Sequence, residues 1–349
     1  MSGIIGVIDR RRRRMDGSGI TSGLSMMDER GSGEGAGYAG YGIYPEYRDC
    51  YALHVFFDDI EEKKGILDKM LEKRGSILHE EEIPTREQPN LKKIHTPWRY
   101  FFKPDAGMTS GDSSEDDVVA SIVMEVNAAR NGSLIVSSGK NMGVFKAAGR
   151  AREVADFYGI EEYEAYTWLG HNLYTTNNPG WWGGAHPFNL LDRSIVLNGG
   201  ITSGGTNRRY VESFGYRCTM DNDTEVIAYL IDLLVRKHGL TEDLAIRALA
   251  PPFWDDIDRM PQKERELNRA IRLTYGSAMM NGPIAIVAAN HDGMIGCCDR
   301  IKLRPLVVGE HGDRLCISSE EAAIRAMDPD IDRTYMAGTD APVIGRFFA

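Results

Sequence analysis

With 349 residues, 42% of them hydrophobic and 26% charged, the chain has the composition of an ordinary globular protein with enough apolar surface for one large core or two modest ones. A formal net charge of -10 excludes the clustered positive face that phosphate-backbone binding requires, so no nucleic-acid partner is expected. No apolar run is long enough to span a bilayer, and the amino terminus lacks a signal peptide's apolar core, which together predict a cytoplasmic protein with no membrane association.

Residues 3–9 form a strand-like start, followed by the arginine run Arg10 to Arg14, which reads as a solvated hairpin turn or as a docking patch for an acidic partner. Gly35 to Gly40 matches the dinucleotide fingerprint in letters only, because it precedes the strand-like stretch Tyr41 to Tyr51 instead of opening a helix. From 51 to 138 the pattern predicts a strand (51–57), a charged helix (60–73) and two strands around Ile77 and 98–102. A helix (117–130) and a strand (134–138) complete it. That β-α-β-β-α-β order is the split ferredoxin-like motif, placed here as an inserted subdomain at 50–140. Residues 104–116 read as a polar loop.

Further along, a helix is expected at 224–238 with Asp223 as its N-cap, and another at 262–273. Strands at 283–289 and 294–298 flank the hairpin signal His291-Asp292-Gly293. The five cysteines, Cys50, Cys218, Cys297, Cys298 and Cys316, lack paired spacing and predict reduced thiols, and the histidines show no metal-ligand spacing. Neither a metal nor a cofactor is expected.

Two features carry chemistry. Ser2 follows Met1, and removal of the initiator would expose a nucleophile whose own α-amine can serve as its base. The run Gly170-His171-Asn172-Leu173-Tyr174-Thr175-Thr176-Asn177-Asn178-Pro179-Gly180-Trp181-Trp182-Gly183-Gly184-Ala185-His186-Pro187-Phe188 is the second. It resembles the glutamine-binding segment of class II, amino-terminal-nucleophile glutamine amidotransferases, closest to the stand-alone amidotransferase subunit of archaeal-type glutamate synthases. Asn198-Gly199, Asn207 to Tyr210, Asp223 to Glu225 and Asp299 to Leu306 extend the resemblance in family order over nearly the whole chain, 2–349.

The resemblance implies an α+β fold, the αββα four-layer sandwich of amino-terminal nucleophiles. It also implies roles: Ser2 at the nucleophile position, Asn198 and Gly199 at the oxyanion hole, and Thr176 and Asp223 as substrate contacts, with Asp223 holding the glutamine α-amino group. His171 and His186 fall at structural positions, and Trp181 and Trp182 are expected to pack the loop floor.

Three positions depart from the family pattern. Serine stands for the cysteine nucleophile, and a hydroxyl is far less acidic than a thiol. Leu173 stands where the family's arginine pairs with the glutamine α-carboxylate, and Arg193 or Arg208 are the side chains that could compensate. Gly200 ends the oxyanion loop where the family has glutamate; beside these three, Thr175 replaces a proline. These changes predict a subunit of a glutamate-synthase-like complex with lost or strongly impaired glutaminase activity. The implied partners are a flavin and iron–sulfur synthase subunit and a β-helical subunit. The alternatives are an active glutaminase supplying ammonia to a synthase, with Ser2 standing for a cysteine, and an amidohydrolase using Ser2 on a different amide.

Overall fold

The strand Gly3–Asp9 is buried along its whole length, and its alternate side chains enter two different cores. Ile4 and Ile8 pack with Val196, Val287 and Met294 of a second sheet, whereas Ile5 and Val7 pack beneath helices with Ile20, Leu24 and Val154. A strand covered on both faces must be apolar at every position, and Gly3-Ile-Ile-Gly-Val-Ile meets that demand up to its terminal Asp9. The computed structural model describes all residues except 92–93, 109–113, 176–179, 339–341 and 349.

The first sheet has seven antiparallel strands in the order Arg333–Met336, Val307–His311, Arg314–Ser318, Gly3–Asp9, Thr167–Asn172, Ala36–Tyr41 and Met142–Ala147. The second has five, in the order Phe188–Leu190, Arg193–Gly199, Ile284–Asn290, Gly293–Cys298 and Val343–Arg346. Helices Ser18–Ser25, Ala151–Tyr158 and Glu321–Met327 cover the outer face of the first sheet, while Asp223–Asp232 and Glu242–Leu249 cover that of the second. The layers form the αββα four-layer sandwich that the resemblance implies.

Between the strands Ala36–Tyr41 and Met142–Ala147 lies the ferredoxin-like insertion. Its four-stranded sheet runs Gly75–Glu82, Thr96–Pro104, Tyr51–Phe57, Ser133–Ser137, backed by helices Ile60–Glu72 and Glu115–Ala129. Asp59 caps the first helix through the Glu62 amide (3.2 Å), and Ser114 forms a reciprocal capping box with Asp117 on the second. The insertion's apolar face is continuous with the sandwich, because Leu53, Tyr100 and Val123 share one buried cluster with Leu190, Ile195 and Ile227.

Several local expectations need correction. The strand near the first glycine run is Ala36–Tyr41, inside the run, and residues 41–51 hold only the short helical turn Pro45–Tyr47. Glycine is required at 37, where a side chain would meet the His186 carbonyl at 2.3 Å. The helix expected at 224–238 starts one residue earlier, as Asp223–Asp232, and continues as the π-helical turn Leu233–Lys237. Its N-cap is Asn222, whose side chain accepts from the Thr224 amide at 2.8 Å, so Asp223 is not the cap. The arginine run is solvent-exposed from Arg11 to Arg14 but anchored: Asp313 pairs with Arg11 (2.8 Å) and Arg13 (3.0 Å), and Arg12 lies 3.8 Å over Phe347.

All five cysteines are free thiols. Among the described residues, no helix is long and apolar enough to cross a membrane, and no group of three or more His, Cys, Asp or Glu side chains could hold a metal ion.

Candidate active site

At one end of the sandwich the chain start and the loops that follow the strands Thr167–Asn172 and Arg193–Gly199 enclose a cavity of about 260 Å³. Ser2, Leu173, Gly199 and Asp223 line it, together with Tyr174, Trp181 and Asp221. Pairing of Gly3 with Asn172 across the first sheet sets Ser2 beside Leu173, and pairing of Gly199 with Ile284 fixes the opposite wall. Four of the expected site residues, separated by up to 221 positions, therefore converge. Thr176 lies outside the described residues.

Ser2 is buried, and its Oγ accepts a hydrogen bond from the Tyr174 amide at 3.2 Å. Its carbonyl accepts from Arg30 Nε at 3.3 Å, and the Arg30 guanidinium is in turn paired with Glu320 at 2.6 Å. Arg30 thus anchors the chain start without lining the cavity. Leu173 is held by its backbone, donating to Gly35 (2.8 Å) and accepting from Ser32 (2.8 Å), with its side chain packed on Gly35.

The oxyanion positions divide. Gly199 borders the cavity with φ +115°, a conformation that only glycine adopts readily, and a side chain there would meet the Pro283 carbonyl at 1.8 Å. Asn198 is wholly buried, does not line the cavity, and has no hydrogen-bond partner at Nδ2 or Oδ1 among the described residues. Its amide is therefore retained and buried without a protein partner among those residues.

Neither arginine that could compensate for Leu173 does so. Arg193 pairs with Glu242 at 2.9 Å, and Arg208 is occupied by Asp221 (3.0 Å), Glu212 (3.0 Å) and the Cys218 carbonyl (2.7 Å); neither lines the cavity. Asp223 does line it. One carboxylate oxygen accepts from the Ile201 amide at 2.9 Å, and burial pushes the group's pKa up. Asp223 has no cationic partner among the described residues.

The sequence reading missed the buried support beneath this cavity. Lys146 sits in the otherwise apolar strand Met142–Ala147 and is only 2% exposed. Its ammonium donates to the carbonyls of Gly183 (2.9 Å), Ala185 (2.8 Å) and Pro187 (3.4 Å), and lies 4.5 Å over Phe188. A lone lysine in an apolar strand was the signal available for it. Trp182 is core, contacting Phe56, His95 and Phe157 edge-on, but Trp181 is 40% exposed and lines the cavity instead of packing its floor. Gly183 and Gly184 leave room for the Trp181 ring, since a side chain at either would meet it within 2.5 Å.

His171 and His186 are both buried and stack at 3.9 Å. Leu197 O can only accept, so His171 Nε2 carries the hydrogen in their 2.9 Å bond, while His186 Nε2 meets Thr224 Oγ1 at 2.6 Å. Burial holds both rings neutral, with His171 lowered to about 3 and His186 well below its ordinary value; His54, buried between Tyr44 and Val144, is also lowered to about 3.

A base depressed in the folded state binds fewer protons there than in the unfolded chain, so stability falls as pH drops through the unfolded histidine value near 6.5. Each of the three contributes a slope approaching ~1.4 kcal/mol per pH unit below that value. We therefore expect the urea midpoint to drop steeply between pH 7 and about 5.5, and His171→Gln with His186→Gln to flatten the drop. An unchanged midpoint over that range would refute the neutral buried assignment.

A larger groove of about 560 Å³ lies between the insertion helix Glu115–Ala129 and residues 214–217. Arg236 and Lys237 on its wall are both paired with Asp117, and none of the expected site residues reaches it.

No family model matches the chain. An uncharacterized protein from Archaeoglobus fulgidus is 48% identical over 346 residues, covering 99% of this chain and 92% of the relative. An inferred glutamine amidotransferase from Methanothermobacter thermautotrophicus is 25% identical over 333 residues, 93% of each chain. The isomerizing glutamine–fructose-6-phosphate aminotransferase of Sulfurisphaera tokodaii is 33% identical over 102 residues, 29% of this chain and 17% of that enzyme. The chain is a glutamine amidotransferase-like protein.

Proposed function

We propose that this protein is an amidotransferase-like subunit that has lost most or all turnover of glutamine and serves as a structural or regulatory component of a glutamate-synthase-like assembly. One observation carries the loss: the cavity at Ser2 is lined by two carboxylates, Asp221 and Asp223, and by no lysine or arginine among the described residues, while His186 on its wall is kept neutral by burial. The neighbouring residues 176–179, Thr-Asn-Asn-Pro, are uncharged as well. A glutamine α-carboxylate entering this space would be desolvated without a partner, which costs more than the missing hydrogen bond alone. Ser2 in place of the family's cysteine adds to the same reading. The assembly role and its flavin, iron–sulfur and β-helical partners rest on the resemblance of residues 170–188 to the glutamate-synthase subunit.

A second reading, an amidohydrolase acting through Ser2 on an amide without an α-carboxylate, is favoured by Leu173 in place of a cation. Both are tested by intact mass followed by glutamate release. Retention of Met1 leaves Ser2 without a free amine and closes every amino-terminal mechanism. The expected outcome is no glutamate above the protein-free blank; glutamine turnover by the chain with its own Ser2 would establish the active-glutaminase alternative.

A further inference from the structure

The charge and shape of the Ser2 cavity restrict what it can hold. Asp221 is neutralised by Arg208 at 3.0 Å, so Asp223 is the one carboxylate on the wall left without a cationic partner among the described residues. Two glycines keep it uncovered. A side chain at Gly200 would come within 3.2 Å of Asp223 Oδ2, and one at Gly204 within 2.9 Å of Oδ1. Glycine at both positions keeps the space beside both oxygens open, while the Ile201 amide holds the carboxylate in place.

Leucine and aromatic rings share the other walls with uncharged polar side chains, Ser2, Thr175, Asn222 and Thr224 among them. Leu173 packs on Gly35, and Trp181 and Tyr174 are 40% and 48% exposed where they border the cavity. A carboxylate that lines one cavity with an indole and a phenol ring is a favourable setting for an organic ammonium, because the rings attract cations and the carboxylate supplies the counter-charge. The same walls offer a second, anionic group no cationic partner among the described residues.

We propose that the cavity binds a small organic cation, a primary ammonium carried on a short amide-bearing or aliphatic chain that lacks a carboxylate. This ligand class rests on the reading that glutamine recognition has been lost, and extends it: the site has exchanged a zwitterionic amino acid for a ligand with a single positive charge. Asp223 pairs with the ammonium, Trp181 and Tyr174 flank it, and Leu173 packs the chain where the zwitterion's carboxylate would lie. In an assembly subunit such a site would report the level of an amine.

The test uses the full chain and three probes of similar size at equal ionic strength: 4-aminobutanamide, with ammonium and amide; L-glutamine, which adds the α-carboxylate; and pentanamide, with neither charge. Thermal shift and titration calorimetry should show saturable binding of 4-aminobutanamide at least about tenfold tighter than of the other two. Asp223→Asn, which keeps an acceptor for the Ile201 amide, should weaken it by about tenfold or more. Should that variant fold poorly, Leu173→Arg serves instead, lowering affinity for 4-aminobutanamide and raising it for glutamine. Equal binding of pentanamide, indifference to both substitutions, or no binding of 4-aminobutanamide would each overturn the inference. Glutamine binding to the unmodified chain would instead overturn the reading beneath it, and absence of binding by all three probes would overturn the inference while leaving that reading intact.

Discussion

Ser2→Cys combined with Leu173→Arg is expected to produce glutamate from glutamine where the unmodified chain produces none, once Met1 is removed. The thiol of a cysteine titrates near the α-amine's own range, so proton transfer between them is nearly balanced, whereas a serine hydroxyl must be deprotonated in concert with attack. An arginine at 173 would supply the cation that the cavity lacks and neutralise the substrate carboxylate beside Asp221 and Asp223. Such a charge-assisted pair contributes about 1.5–3 kcal/mol, roughly 10- to 150-fold in affinity. Nucleophile and clamp act on the same step, so each single variant should fall well short of the pair. Glutamate release by a coupled assay, with glutamine-dependent thermal stabilisation as an independent readout, checks both halves. Stabilisation without turnover would place the remaining defect in the reacting groups and not in the substrate clamp. If the double variant neither binds nor turns over glutamine, the idea of a two-residue loss fails.

Lys146→Met is expected to be the most damaging substitution outside the cavity. Methionine fills a similar volume but cannot donate, which leaves the carbonyls of Gly183, Ala185 and Pro187 without their buried partner. Each unpaired buried acceptor costs about 1–3 kcal/mol, and part of the sum is returned by relieving the desolvated charge, so a net loss of ~3 kcal/mol is expected. Urea unfolding measures it, and Trp181 and Trp182 report the loop by fluorescence.

A second signature separates this from ordinary packing loss. Burial lowers Lys146 to about 7 in the folded protein against an ordinary lysine value of 10.5, so between those values the unfolded chain binds the extra proton and stability rises with pH. Lys146→Met should abolish that rise. A variant as stable as the parent, with the same pH profile, would show that the three carbonyls need no cation.

How much of this was legible in the sequence varies by element. The helices Ile60–Glu72, Glu115–Ala129 and Gln262–Thr274 carry apolar periodicity and acidic first turns, and the sequence pattern locates them within a few residues. The helix Ser18–Ser25 does not announce itself. Its sequence, Ser-Gly-Ile-Thr-Ser-Gly-Leu-Ser, has low helix propensity, and Gly23 is there because a side chain would strike Ile5 and the Ala323 carbonyl within 2.8 Å. Docking against a sheet and a second helix forms that element.

The N-cap of the helix at 223 illustrates a finer limit. Asn222 and Asp223 are both good caps by residue type, and composition cannot choose between them. Backbone geometry chose Asn222, and thereby left the Asp223 carboxylate for the cavity.

Residue identities alone established the family framework, the three departures at Ser2, Leu173 and Gly200, and the overall charge, because each is a matter of which residue stands where. The surroundings of those positions were decided in three dimensions. Antiparallel pairing of strands far apart in the chain brought Ser2, Leu173, Gly199 and Asp223 to one cavity and committed Arg193 and Arg208 to carboxylates of their own. Whether a carboxylate or a cation is left without a partner depends on every neighbour in space, and a linear pattern of residue types does not contain that sum.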